Sequence, residues 1–225
     1  LVGVQMARGL ASLHGMKPRQ LVHQDMKPDN VLMFATEKEM PPKTPLVKLA
    51  DFGLCGATES EQAGAGEEEE KGWFSARAGG TRLYMSPEQG IEFLRAREGG
   101  SGAAAALDPS FDMWAFGLIL ASIVSEPTKH AVQAYHDWLR NEGLASAVDK
   151  MVAEAEKILQ AAEEEAKTVG GENDEQLGRV WDSVLHVLGA CLGKSHADST
   201  AVACEKYLHI AYRVLSAKGA PFKVV

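Results

Sequence analysis

The sequence predicts an α+β fold that is predominantly α-helical, with a few short strands near its beginning. Short apolar runs separated by turn residues lie within residues 21–50, a pattern typical of small strands. Apolar residues at helical spacing then continue from about residue 110 to residue 217. The 225 residues are 45% hydrophobic and 24% charged, a balance that is typical of globular proteins and excludes a fully disordered or fibrous chain.

The first half of the chain predicts one helix and three short strands. Apolar residues from Val2 to Leu13 recur at helical spacing, which predicts a helix over residues 1–14. Residues 36–45 are polar and rich in proline, so we expect a loop there, and residues 55–72 have the composition of a mobile segment. The strands are predicted at 21–22, 31–34 and 46–50.

The second half predicts helices alone. We expect Ser110 to cap a helix that extends to about Ser125, because a serine oxygen can accept a hydrogen bond from the first helical turn. We divide the chain into a core over 1–125 and a helical remainder over 126–225, which contains an acidic helical insert at about 146–177. Further helices are predicted at about 130–142, 146–168, 175–192 and 200–217.

The negative charge of the chain is concentrated in two segments. The formal net charge is −8, of which residues 59–71 carry −5 and residues 151–177 carry −6, so the rest of the chain carries +3. A general binder of nucleic acid or of anionic membranes would need a basic face, and this balance argues against both. We expect the Glu67–Glu70 run to be a solvated insert, although it could also repel acidic substrates or mimic a phosphate.

The cysteines and the hydropathy indicate an intracellular protein without a membrane segment. The three cysteines form no C-x-x-C pattern and are too few for a disulfide framework, which favours a reducing compartment, and we expect the cytoplasm. No apolar run approaches the roughly 18 residues that span a bilayer. The chain begins with Leu1, and we expect it to be a fragment of a longer protein.

Four polar residues near the predicted strands suit phosphoryl transfer. Asp25, Lys27 and Asn30 lie in one short segment, and Asp51 follows the third predicted strand. Transfer of a phosphoryl group from ATP requires a carboxylate to orient the attacking hydroxyl, a cation to offset phosphate charge and oxygen ligands for Mg²⁺. Carboxylate and amide oxygens suit Mg²⁺, which is a hard cation. These four residues supply each of those groups.

Four motifs in order make residues 1–125 resemble the C-terminal lobe of a eukaryotic-type protein kinase. They are the catalytic loop over His23–Asn30, the sequence Asp51-Phe52-Gly53, the sequence Ser86-Pro87-Glu88 that ends an activation segment over 51–88, and a central helix containing Asp112. Any one of these motifs is weak evidence, but four in the family's order within about 95 residues are specific.

The resemblance implies roles for the residues that match. Asp25 would orient the substrate hydroxyl, Lys27 would contact the γ-phosphate, and Asn30 and Asp51 would hold Mg²⁺ with bound ATP. Leu32 would form the floor under the adenine. The position of Lys27, two residues after Asp25, is typical of serine/threonine kinases, and so is Thr81, whose hydroxyl would bridge Asp25 and Lys27. The resemblance also implies structural roles for His23, Phe52, Asp112, Ile119 and Ile123.

The sequence departs from the family upstream of the catalytic loop. A kinase needs a Gly-rich loop over the phosphates and a strand lysine paired with a helix glutamate, but only 22 residues precede His23. The implied partners are therefore a missing N-terminal lobe and protein substrates. We expect the 225 residues alone to have little or no kinase activity, and phosphate transfer by the purified chain would refute this.

Two further departures concern the activation segment. Gln24 stands where most kinases have an arginine that pairs with a phosphate on the activation loop. We therefore do not expect phosphorylation of this loop, for example at Ser75, to be the main way in which the kinase is switched on. The alternative is that Gln24 only makes a local hydrogen bond. The arginine expected to pair with Glu88 falls near Ser199, so Glu88 needs another partner, and Arg95 and Arg97 are near it in sequence.

Other functions are less consistent with the motifs. A pseudokinase or scaffold of the same fold is the main alternative, and a small-molecule phosphotransferase is disfavoured by Gly80-Thr81 and Ser86-Pro87-Glu88. The helix predicted at 146–168 could bind a partner as a coiled coil, but it holds fewer heptads than a coiled coil usually needs. We therefore expect this helix to pack against other helices of its own lobe. The Cys191/His196 and Cys204/His209 spacings do not place ligands on one helix face, so zinc is not expected.

Overall fold

A computed structural model describes residues 1–35, 45–58, 79–98, 107–169, 175–193 and 200–217. The predictions for residues 36–44 and 59–78, including those for Ser75 and the Glu67–Glu70 run, lie outside the described residues, as do His196 and Ser199. The helices are α1 (Val2–His14), α2 (Pro87–Arg97), α3 (Ser110–Val124), α4 (Glu126–Glu142), α5 (Leu144–Ala147), α6 (Met151–Val169), α7 (Glu175–Leu192) and α8 (Ala201–Ala217). The strands are β1 (Leu21–Val22), β2 (Val31–Ala35), β3 (Pro45–Leu49) and β4 (Gly56–Ala57).

The strands form two small antiparallel pairs. In the pair of β2 and β3, the register joins Val31 to Leu49 and Ala35 to Pro45. In the pair of β1 and β4, Val22 lies opposite Gly56. The three predicted strands are confirmed, whereas β4 was not predicted: the segment 55–72 was expected to be mobile, but its first residues pair with β1.

Helix α3 is the centre of the fold. Every side chain from Ser110 to Ala121 is buried, so this helix is covered on all sides. It packs against α1, α4 and α7, while α8 lies against α1 and α7, and α6 lies against α4 and α7. One hydrophobic core therefore includes side chains from both halves of the chain, among them Leu10, Trp114, Leu139, Ile158 and Leu188.

The predicted cap of α3 is wrong. Ser110 is the first helical residue, and Pro109 occupies the capping position. The side chain of Asp108 accepts a hydrogen bond from the Ser110 N–H at 2.7 Å, so a carboxylate two residues earlier performs the role assigned to the serine. Because Ser110 is already inside the helix, its hydroxyl does not occupy the capping position that the sequence prediction gave it.

Helix α4 begins earlier than predicted, and the next predicted helix is divided. Ser125 and Thr128 form a reciprocal capping box, which starts α4 at Glu126 instead of residue 130. The helix predicted at 146–168 comprises α5, a 3₁₀ turn over Val148–Lys150, and α6. The buried Ala155, Ile158 and Ala162 of α6 face the neighbouring helices, which confirms packing on its own lobe.

Helix α2 was not predicted, although its sequence contains a start signal. The Ser86 hydroxyl accepts a hydrogen bond from the Gln89 N–H at 3.1 Å, and Pro87 follows at the first helical position. A serine followed by proline is a common helix start, because proline lacks the N–H that the first turn leaves without a partner. The segment was interpreted only as a motif that ends the activation segment.

Candidate active site

The loop between β1 and β2 is fixed to the central helix through one buried carboxylate. Asp112, at the start of α3, accepts hydrogen bonds from the backbone N–H groups of His23 at 2.8 Å and Gln24 at 2.9 Å. The Nε2 atom of His14, at the end of α1, lies 2.9 Å from the same carboxylate. Gln24 has a φ of 65°, a left-handed conformation that these bonds hold in place. Helices α1 and α3 therefore fix the loop backbone immediately before Asp25.

Asp25 is the centre of the candidate site. One carboxylate oxygen, Oδ1, accepts hydrogen bonds from the Thr81 N–H at 2.8 Å and the Thr81 hydroxyl at 2.7 Å. The other oxygen, Oδ2, accepts a hydrogen bond from Lys27 Nζ at 2.7 Å. Burial alone would raise the pKa of Asp25, but the bonds from Lys27 and Thr81 outweigh it, so the pKa lies below its usual value. Asp25 is therefore an ionised carboxylate at neutral pH.

Lys27 and Thr81 complete a hydrogen-bonded triangle with Asp25. Lys27 Nζ donates to the Thr81 hydroxyl at 3.2 Å as well as to Asp25. The hydrogen bond to Asp25 raises the pKa of Lys27, and the negative charge of Asp51 adds to this effect. Residues that are 54 positions apart in the sequence are thus brought together, and the triangle holds one negative and one positive charge side by side.

Asn30 and Asp51 provide the oxygen atoms that suit a divalent cation. Asn30 is buried and donates from its amide nitrogen to the Asp25 backbone carbonyl at 2.8 Å, so its amide oxygen is the atom that could bind a cation. The Ala50 N–H donates to the Asn30 carbonyl at 2.9 Å, which ties the end of β3 to the loop. Asp51 follows in a left-handed conformation and is exposed. An amide oxygen and a carboxylate fit Mg²⁺.

The residues expected to have packing roles differ in how far they are buried. The His23 and Phe52 rings are in contact, with centroids 5.2 Å apart, but their planes are tilted by 51° instead of stacked, and Phe52 is 49% exposed. Ile119 is buried, but Ile123 is 39% exposed and lies on the surface of α3. Leu32, on β2, is 41% exposed. Whether Leu32 lies under an adenine stays a prediction.

Gln24 makes a side-chain hydrogen bond. Its side-chain amide donates to the Leu54 carbonyl, in the turn that follows Asp51. This bond joins Gln24 to a residue 30 positions later in the sequence, and the relation of Gln24 to phosphorylation stays a hypothesis. Arg95, suggested as a partner for Glu88, donates to Glu92 at 2.6 Å. The guanidinium of Arg97 lies over the Phe93 ring.

Two positioning residues were missed by the sequence analysis. His14 contacts Asp112 as described above, and the only sequence signal was a histidine in the last turn of α1. Gln89, in the first turn of α2, donates from its side-chain amide to the Gln24 carbonyl at 2.8 Å and to the Gly79 carbonyl at 3.0 Å. It joins the catalytic loop to the segment that carries Thr81. No sequence pattern indicated this contact.

The helical scaffold and the cluster on its loop define a chain of the protein kinase type, in which Asp, Lys, Thr and Asn side chains meet beside a central buried helix. The family model described as protein kinase domain matches residues 2–194. The chain therefore belongs to the protein kinase family.

Three of the similar proteins illustrate the relation, and all three are named serine/threonine kinases. Serine/threonine-protein kinase SBK1 of Mus musculus is 34% identical over 117 residues, which is 52% of this chain and 22% of that protein. Pelle-like serine/threonine-protein kinase pik-1 of Caenorhabditis elegans is 29% identical over 161 residues, 70% of this chain and 27% of that protein. Receptor-interacting serine/threonine-protein kinase 3 of Rattus norvegicus is 30% identical over 54% of this chain and 20% of that protein. The chain spans about a quarter or less of these relatives.

The described residues contain neither a membrane-spanning helix nor a cluster of metal-ligating side chains. No helix there combines the length and the low polarity that crossing a lipid bilayer requires. No group of three or more His, Cys, Asp and Glu side chains is arranged there to hold a metal ion.

Proposed function

We propose that this chain is the C-terminal lobe of a serine/threonine protein kinase, which transfers the γ-phosphate of ATP to Ser and Thr hydroxyls of protein substrates. The observation that carries the proposal is the triangle of Asp25, Lys27 and Thr81. A carboxylate held ionised beside a cation can receive a hydroxyl hydrogen bond while the cation offsets phosphate charge. Family membership and the names of the relatives support the same activity.

Each residue of the triangle has a separate role in the proposed mechanism. Asp25 orients the substrate hydroxyl and accepts its proton as the oxygen becomes nucleophilic. Lys27 offsets negative charge that develops during transfer. Thr81 holds the Asp25 and Lys27 side chains in position, because its hydroxyl bonds to both of them. When bound, Mg²⁺–ATP supplies the phosphoryl group and further positive charge. Asn30 and Asp51 are the proposed ligands of the cation, because their oxygens are of the type that Mg²⁺ prefers.

A second lobe is part of the proposal. We propose that it supplies the Gly-rich loop and strand lysine, and that Leu32 contributes the floor of the adenine site. Exposed large apolar side chains on β2 and in the turn after β3 support this, because exposed apolar surface can mark an interaction site. The residues concerned are Leu32, Met33, Phe34 and Phe52. An intracellular location and the division of the chain at residue 125 belong to the same proposal.

Phosphotransfer by a pair of variants tests the activity. Transfer from radiolabelled ATP to a generic protein substrate is measured for the full-length protein that carries this chain, and for its Asp25→Asn and Asp137→Asn variants. Asp25→Asn keeps the size of the side chain but removes the proton acceptor, and we expect the rate to fall by about 10²- to 10⁴-fold. Asp137, on the surface of α4, is 70% exposed and its replacement should leave the rate within about twofold.

The same assay separates the kinase from the alternative. A pseudokinase or scaffold would bind nucleotide, measured by a shift in thermal unfolding, without transfer above the Asp25→Asn background. Equal rates for the wild-type and Asp25→Asn proteins would contradict the proposal. The 225 residues alone are expected to give little or no transfer.

A further inference from the structure

Two buried cysteines on neighbouring helices lie in contact. The Sγ atoms of Cys191, near the end of α7, and Cys204, in the first turn of α8, are 3.8 Å apart. Both residues are buried, and both are thiols in the structure. The third cysteine, Cys55, is half-buried and lies elsewhere, beside β4. Two thiols in van der Waals contact need only a small side-chain movement to reach the distance of a disulfide bond, which is about 2 Å.

Cys191 is the fixed member of the pair. A Cβ atom built on Gly117, in the middle of α3, would lie 2.6 Å from the Cβ of Cys191 and 2.9 Å from Cγ of Leu192. Helix α7 therefore approaches the backbone of the central helix at this point, and Cys191 is held against the core. An approach this close leaves Cys191 little freedom to move.

Cys204 is the member that can become accessible. It lies one turn from the beginning of α8, where the Thr200 hydroxyl accepts a hydrogen bond from the Ala203 N–H. Terminal helical turns open more readily than helix centres, because they have fewer backbone hydrogen bonds to lose. The hydrogen bond with Cys191 lowers the pKa of Cys204, which favours its thiolate.

We propose that Cys191 and Cys204 form a redox site, at which a small-molecule disulfide such as oxidised glutathione converts the two thiols into an intramolecular disulfide. The Cys204 thiolate attacks one sulfur of the small disulfide, which forms a mixed disulfide and releases one glutathione thiolate. The Cys191 thiolate then attacks the Cys204 sulfur, which forms the Cys191–Cys204 bond and releases the second glutathione. Two electrons pass from the protein to the small disulfide, and the two protons lost by the cysteines go to the released thiolates.

The bond would fasten α8 to the rest of the molecule. Helix α8 packs against α1 and α7, and it is joined to α1 by the ion pair of Arg8 and Glu205 at 2.8 Å. A covalent link at the beginning of α8 adds a second attachment and restricts the unfolded chain. The oxidised protein should therefore unfold at a higher temperature than the reduced protein. This inference does not depend on the proposed kinase activity.

The test uses the full chain in its folded state. The reduced chain is incubated with oxidised and reduced glutathione at about pH 8, remaining thiols are alkylated, and the peptides are mapped by mass spectrometry. We expect a cross-linked pair of peptides containing Cys191 and Cys204, reversed by dithiothreitol, and a melting temperature higher by roughly 5 to 10 °C. Burial raises the pKa of Cys55 to about 11, so Cys55 should remain the slowest thiol to exchange and acts as an internal control.

Two cysteine variants serve as controls for the cross-link and for the rise in melting temperature. Cys204→Ala should abolish both the cross-link and the rise in melting temperature, and Cys55→Ser should abolish neither. If Cys204→Ala fails to fold, the cross-linked peptides of the wild-type chain and their reversal still decide the question. The proposal is overturned if the cross-link forms only in denaturant, or if Cys191 and Cys204 end as separate glutathione adducts or as unmodified thiols.

Discussion

At the residue scale, the state of Asp25 is decided by its hydrogen bonds and not by its burial. The side chain is 9% exposed, and desolvation alone would favour the neutral acid. Two donors from Thr81 and one from Lys27 reverse this preference. Charge-assisted hydrogen bonds are among the strongest in proteins, and three of them on one carboxylate exceed the desolvation penalty of this buried group. The proposed base is therefore ionised without any substrate.

The Thr81 hydroxyl allows a precise test of this arrangement. Thr81→Ala removes the side-chain bond to Asp25 and the acceptor for Lys27, but keeps the backbone bond. We expect kcat in the full-length protein to fall by roughly 10- to 100-fold, since a hydrogen bond to a charged group is worth about 1.5 to 3 kcal/mol. Thr81→Ser keeps the hydroxyl and should stay within a few fold. Equal losses in both variants would show that the methyl group, and not the hydroxyl, matters.

The site residues were predicted to different degrees. Asp25, Lys27, Asn30 and Thr81 belong to short motifs, and the structure brings all four together. The contacts of His14 and Gln89 cross between elements that are far apart in sequence, and no local pattern determines them. The His14–Asp112 contact, for example, joins residues 98 positions apart. Such contacts depend on how helices pack, which periodicity alone does not specify.

At the element scale, the helices were predicted more reliably than their ends. Helix α3 has apolar side chains on every face, and its bounds agree with the prediction within a residue. The cap at Asp108 and the early start of α4 were missed, because several Ser, Thr and Asp residues nearby could each have served as a cap. The strand β4 is two residues long and has no pattern of its own. Only its partner β1 makes it a strand.

Close packing of α7 against α3 depends on the absence of a side chain at Gly117. A Cβ at Gly117 would overlap Cys191 and Leu192, so Gly117→Ala should destabilise the chain by about 1 to 3 kcal/mol. Gly189, on the same α7 helix, is a matched control, because a Cβ there meets nothing within 4 Å. Gly189→Ala should stabilise by up to about 1 kcal/mol through helix propensity. Urea unfolding measures both, and a neutral Gly117→Ala would show that α7 can move away.

At the scale of the whole molecule, the two halves of the sequence share one core. The hydrophobic cluster includes Leu10 and Trp114 from residues 1–125 and Leu139 and Leu188 from residues 126–225. The proposed division at residue 125 therefore does not fall between two independent cores. The sequence alone could not show this, because amphipathic helices identify an apolar face without identifying its partner. Since the core is continuous, a change in one half should alter the stability of the whole chain.

His136 connects the stability of this core to pH. It is buried on α4, where its ring contacts Tyr84 and Tyr135. Burial, with a smaller contribution from the charge of Arg140, lowers the pKa of His136 to about 4, whereas an unfolded histidine titrates near pH 6.5. The folded chain thus binds fewer protons than the unfolded chain in this range. The stabilisation is complete above pH 6.5 and is lost as the pH falls from 6.5 toward 4.

A pH series on two histidine variants tests this contribution. His136→Phe keeps a ring between the tyrosines but cannot ionise, so its free energy of unfolding should fall less than that of the wild type between pH 7 and pH 5. We expect the difference to be about 1 to 2 kcal/mol after allowing for partial screening by solvent. His130→Gln is the matched control, because His130 lies on the same helix with 71% of its side chain exposed, and its pH dependence should follow the wild type. Parallel curves for all three proteins, measured by urea unfolding at each pH, would show that His136 does not couple the core to protonation.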